Sequence, residues 1–298
     1  TVRDSTSSMT TTATIVASIL GAWILFSPSE AATWAGLIAV LGYAVGQALP
    51  ILSFVFLGPR MRNLMPHGHS LTEFVWFRYG KFAYLLVLSI MVFYLFVFLS
   101  AEMGAIARAV ELITEVPLFV TLILVGGSTV AYTAYGGLRT SIFTDNIQFI
   151  LIFPLMFVIL VATLIELGGW GSAFDSVKSV NPDLLKLNHQ PGIELGLTLM
   201  IGILASNLFH QGFWQRVYSA KSVDDVRKGF LTSGLIVIPL IVLAGFFGLW
   251  TIGQGVSSAF DPIALFRLAL EILPGSVILA LMALALILVM SSMYTLLN

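Results

Sequence analysis

Runs of about 20 consecutive apolar residues recur from one end of this chain to the other, each long enough as a helix to cross roughly 30 Å of hydrocarbon. A water-soluble fold could not bury them, since 58% of the 298 residues are hydrophobic, 10% are charged and the mean hydropathy is +0.99. The strict in–out alternation of a membrane barrel is missing, so the chain is expected to be an all-α integral membrane protein, a multi-span helical bundle. Eight spans are predicted, near residues 8–30, 33–57, 82–112, 117–135, 141–166, 194–213, 230–254 and 272–297. The net charge of −1 comes without any block of like charge, which excludes a nucleic-acid partner and leaves membrane lipid as the surrounding medium. The chain contains no cysteine, which excludes disulfides, thiolate metal sites and a cysteine nucleophile.

Nine of the 14 Lys and Arg residues fall in three alternate connections: Arg60, Arg62, Arg78 and Lys81; Arg139; and Arg216, Lys221, Arg227 and Lys228. By the positive-inside rule these are cytoplasmic loops, about 58–81, 136–140 and 214–229, and the polar segment 168–193 is a long irregular outer loop. Trp76 and Trp214 then mark the inner interface, with Trp170 and Trp250 marking the outer one. All of 1–298 is expected to form one transmembrane domain. The start at TVRDSTSSMT, without an initiator Met, and the stop just after an apolar run point to a fragment of a longer protein.

Two spans are interrupted. The first holds Ser18, Gly21, Ser27, Pro28 and Ser29 within apolar sequence, and the sixth holds Ser206, Asn207, His210, Gln211 and Gly212. They stand five spans apart, as the paired broken helices of an inverted-repeat transporter do, although ordinary kinked helices have the same composition. The last span is featureless until Ser291, Ser292 and Thr295. These hydroxyls either bond back to carbonyls one turn earlier or offer oxygens to a hard cation. In GGLRTSIFTDNIQFILIFPLMFVILVATLI, Asp145 lies about a turn inside the fifth span, where it either caps the helix or faces an inner vestibule. Glu102, Arg108 and Glu111 read as an interfacial ion-pair group at the outer end of span three. Glu30 reads as a solvated helix end or part of an outer vestibule, and His67, His69 and His189 as surface residues.

The stretch YGGLRTSIFTDNIQ, Tyr135 to Gln148, resembles the hallmark of the sodium:solute symporter family. QRVYSAKSVDDVRKG after the sixth span and SSMYTLLN at the end of the eighth are similar to that family's signatures, in the same order. The resemblance implies a leucine-transporter-like inverted-repeat fold with broken first and sixth core helices, and sodium-coupled secondary active uptake of a small organic solute. It implies a sodium site of carbonyls at Ala17, Leu20 and Leu288 with the hydroxyls of Ser291 and Ser292, and a role in ion release for Asp145. Solute positions carry over to Trp23, Ile24, Asn207 and His210. Of these, Ile24 and His210 depart from sugar-transporting members, which argues against a sugar and toward an amino acid, urea or similar solute. The implied coupling ion is sodium, without an organic cofactor, and the implied location is a plasma or bacterial inner membrane. Two other readings are a symporter-like sensor module of a signalling protein and a passive channel. An enzyme is not expected, because no nucleophile, base and orienting group converge in the spans.

Overall fold

Long helices follow from the long apolar runs, and local chemistry decides where each one stops. The computed structural model describes residues 3–297, save the side chains of residues 132 and 135–141. Helix α1, Ser8–Ile19, opens on Ser7, whose hydroxyl accepts from the Thr10 amide, and it stops at Leu20. Helix α2, Trp23–Leu64, is interrupted at Gly36, whose φ of 72° and ψ of −167° are open to glycine alone. A Cβ at Gly36 would also collide with the backbone of Leu184. Helix α3 is Leu71–Thr114, capped by Ser70, and α4 is Leu118–Glu166. The remaining helices are α5 Trp170–Val180, α6 Gln190–Asn207, α7 Gln211–Ser219, α8 Val223–Gly253, α9 Ala264–Ile272 and α10 Gly275–Leu297.

Among the described residues, five helices are long and apolar enough to cross a membrane, or six if α6 and α7, bent by 58°, form one span. The expected first span is the broken pair formed by α1 and the start of α2, and the expected sixth is the α6–α7 pair. Both interruptions read from the sequence are therefore real breaks.

Helices α1, α2, α8 and α10 make the centre. The apolar windows of α2 and α8 are 56% buried and that of α3 only 6%, so α3 presents Phe82, Phe93 and Phe96 outward. In water that surface would be untenable, but in a bilayer it is the face that meets solvent. Small residues let α2 and α6 approach closely: Gly42 lies so near Gly196 that a Cβ would meet its backbone.

Several expectations are corrected. The outer segment 168–193 is not irregular, because it carries α5 and a 3₁₀ turn, Pro182–Leu185. Ala173, Val177 and Leu184 are buried there, a helical spacing masked in the sequence by Gly, Ser and Pro. The connections 58–81 and 214–229 are mostly helical, since α2 runs to Leu64, α3 starts at Leu71, α7 ends at Ser219 and α8 starts at Val223. The loop expected at 136–140 falls inside α4, and the side chains of Arg139 and Thr140 lie outside the described residues. Trp214 and Trp250 are 5% and 0% exposed, so they are core residues and not interfacial anchors. Phe54 packs edge-on against Trp214 at 4.6 Å, and Trp170 and Phe174 pack on Trp250. Arg216 is also buried, so it does not belong among the loop cations.

Candidate ion and solute site

The junction between α1 and α2 exposes backbone groups that no helix satisfies. Leu20 leaves helical geometry at ψ 81°, which turns its carbonyl off the α1 axis. The Gly21 amide donates to Ile19 O at 2.9 Å, and the same carbonyl accepts from Trp23 Nε1 at 2.9 Å. The Ala22 amide is left for α3, where Glu102 Oε2 accepts from it at 2.8 Å. Glu102 thus sits at the positive N-terminal end of α2, in place of a side-chain cap that Ala22 cannot supply. Only glycine at position 21 leaves room, because a Cβ there would overlap the carboxylate of Glu102. Glu102 is 1% exposed, which overturns its assignment to an interfacial group. No salt bridge joins Arg108 to Glu111 among the described residues.

Next to this junction, α10 and α4 bring oxygens together. Ser291 Oγ lies 2.9 Å from Ala17 O and 3.0 Å from Asp145 Oδ1, so a carbonyl, a hydroxyl and a carboxylate from three helices share one point. Asp145 Oδ2 in turn accepts from Arg216 Nη2 at 2.9 Å, and both side chains are 1% exposed. Arg216 Nη2 also stands 3.3 Å from Thr295 Oγ1. Asp145 is therefore neither a helix cap, since α4 begins at Leu118, nor open to a vestibule. Ser292 Oγ donates back to Val289 O at 3.1 Å and also faces the carboxylate of Glu102. Leu20 and Leu288 are fully buried, Leu288 one turn before Ser291 and Ser292 on α10.

Beside the junction lies a small cavity of about 20 Å³, whose walls include Trp23, Phe98, Glu102, Asn207, His210 and Ser292. Trp23 is stacked on Tyr43 at 5.7 Å. Asn207 Oδ1 accepts from Tyr94 Oη at 2.7 Å, and the His210 ring lies edge-on to Tyr94 and tilted against Phe213. His210 Nδ1 is buried without a hydrogen-bond partner. Three of the four expected solute residues share this wall, and Ile24 does not. One step along the helix, about 100° around its axis, turns Ile24 away from Trp23 into the core, where it is 1% exposed. Sequence reasoning missed Glu102 and Arg216 as site residues. The signal available was an ionisable residue within an apolar span, which by default marks a functional position.

The sequence profile of the Sodium:solute symporter family matches residues 3–298. The chain belongs to that family. This symporter-family chain is similar to the spermidine transporter DUR31 of Candida albicans (strain SC5314 / ATCC MYA-2876), 30% identical over 240 residues that cover 79% of this chain and 45% of that protein. It is 24% identical over 242 residues to the urea active transporter of Saccharomyces cerevisiae (strain ATCC 204508 / S288c), covering 75% of this chain and 33% of that one. It is also 24% identical over 258 residues to the high-affinity proline transporter PutP of Bacillus subtilis (strain 168), covering 81% and 51%. The chain thus spans about a third to a half of the length of these relatives. A solved structure of the substrate-bound outward-open state of a Na+-coupled sialic acid symporter superposes with a TM-score of 0.80 at 19% identity, covering 99% of this chain and 65% of that one. The fold is thus the leucine-transporter-like arrangement of that family, in a multi-pass membrane protein.

Proposed function

We propose that this chain is the core of a transporter that couples inward sodium movement to uptake of a small organic solute by alternating access. The observation that carries this reading is the meeting of Ala17 O, Ser291 Oγ and Asp145 Oδ1 at the broken first helix. A hard cation needs several preorganised oxygens before it gives up its water. Rotation of the Ser291 hydroxyl away from Ala17 O frees both oxygens to face an ion, with Leu20, Leu288 and Ser292 as the further donors. Asp145 then balances the ion's charge from the α4 side, and its pairing with Arg216 offers the carboxylate a second partner when the ion leaves inward. The solute binds against Trp23, Asn207 and His210 once the adjacent small cavity widens with the junction, so ion and solute share the same moving element. Relatives named for spermidine, urea and proline differ in their solutes, and the solute here is a small molecule moved across a plasma or bacterial inner membrane.

One sodium crossing 100 mV contributes about 2.3 kcal/mol, and a tenfold gradient about 1.4 kcal/mol more. Together, about 3.7 kcal/mol sustains roughly 500-fold accumulation of a neutral solute. The test is thermal unfolding of the full-length protein in detergent, in sodium chloride against potassium chloride. Sodium at about a hundred times its Kd stabilises wild type by about 2.7 kcal/mol. Ser291→Ala with Ser292→Ala is expected to lower stability in both salts and to remove the difference between sodium and potassium. A folded wild type indifferent to sodium ends the coupling reading.

A further inference from the structure

Three acidic side chains are buried among the described residues: Glu102, Asp145 and Asp261. Two are matched by a cation. Asp145 meets Arg216 at 2.9 Å, and Asp261 meets Arg267 at 2.8 Å. Glu102 has no basic partner among the described residues. Its carboxylate accepts from the Ala22 amide at 2.8 Å and lies beside the Trp23 amide and the Ser292 hydroxyl, all of them neutral groups.

Neutral donors ease the burial of a carboxylate but leave its charge uncompensated, and at membrane depth that is costly unless a cation joins it. An ionised carboxylate has about four acceptor positions, so these contacts leave capacity for a further donor. Glu102 lines the cavity, and no Lys or Arg lines it. Trp23 and Phe98 give the same wall two aromatic rings, the surface that attracts a cation through the ring quadrupole. The unpartnered His210 Nδ1 adds an unused polar atom on a neighbouring wall residue. A neutral solute would use the aromatic rings but leave the charge unmatched, whereas an ammonium-bearing solute answers both features.

Resting on the transport reading of this cavity, we propose that Glu102 selects the solute: the transported molecule is a small aliphatic amine whose ammonium group binds the Glu102 carboxylate. Its hydrocarbon part lies against Trp23 and Phe98. Asn207 is fixed by Tyr94 and meets the amine's polar remainder through the amide group it still has free.

Thermal unfolding of the full-length protein tests this with n-butylamine and 1,4-diaminobutane against 1,4-butanediol, each in sodium and in potassium chloride. In sodium, the two amines are expected to raise the unfolding temperature of wild type and the diol to leave it unchanged. Glu102→Gln keeps an acceptor for the Ala22 amide while removing the charge and exchanging the second oxygen for an NH2 donor. It is expected to retain the sodium-dependent rise while the apparent affinity for the amines falls about 10- to 100-fold. The proposal is overturned if the diol protects as well as the amines, or if neither amine protects at millimolar concentration. It is equally overturned if Glu102→Gln loses the sodium response and keeps the amine response, which assigns the carboxylate to the ion. If Glu102→Gln does not fold, Phe98→Leu carries the test: loss of the ring weakens amine protection several-fold, and unchanged amine protection counts against the proposal. Absence of any sodium effect on wild type is a separate result, because it removes the coupling reading and leaves the amine–diol comparison standing.

Discussion

Arg216→Ala is expected to destabilise the full-length protein by about 3–5 kcal/mol, measured as unfolding in detergent at fixed sodium. The guanidinium is 1% exposed and meets Asp145 Oδ2 at 2.9 Å, so truncation leaves a carboxylate buried at a helix junction without its counter-charge. The loss is therefore dominated by the stranded Asp145 and not by the strength of the pair. Removing both charges should cost far less than removing one. Asp145→Asn combined with Arg216→Ala is expected to recover at least half of the loss in a double-mutant cycle, because the two side chains are in direct contact. A loss below about 1 kcal/mol for Arg216→Ala, or strictly additive effects in the cycle, would show that the pair is not buried as described.

Gly21→Ala is expected to destabilise the protein by about 1–3 kcal/mol. The new Cβ overlaps the Glu102 carboxylate, so either the backbone junction shifts or the carboxylate leaves. The first is overpacking, at about 1–3 kcal/mol, and the second adds an unsatisfied Ala22 amide at about 1–3 kcal/mol. The cause is specific and can be checked. In Glu102→Ala the space is open, so adding Gly21→Ala to that background should cost less than about 1 kcal/mol, near the intrinsic preference of a helix end. If Gly21→Ala costs the same in both backgrounds, Glu102 is not what position 21 accommodates.

Much of this fold is legible in the residues. Span-length apolar runs require transmembrane helices because unsatisfied backbone cannot exist in hydrocarbon. Polar and glycine-containing interruptions at 18–30 and 206–212 marked the two breaks, since such residues free backbone groups that a continuous helix would use. The adjacent hydroxyls of Ser291 and Ser292 stood out against featureless apolar sequence, and one of them meets Ala17 O. Segment 168–193 was misread because its Gly and Ser content hid a buried stripe of Ala173 and Val177, whose partners lie on other helices. The surplus of Lys and Arg misled in one place: Arg216 looks like a loop cation and is a core residue.

Residue order alone was enough for the medium, the helical class, the positions of the two broken helices and the oxygen-bearing residues near them. These properties depend on local composition and on the single requirement that every backbone group in lipid be satisfied. Which charges are compensated emerged from helix packing alone. Asp145 finds Arg216 across 71 positions, and Glu102 finds the Ala22 amide across 80. Pairing over such separations depends on how helices pack, which hydrophobic periodicity does not encode, and that packing leaves the buried carboxylate of Glu102 facing the cavity without a basic partner among the described residues.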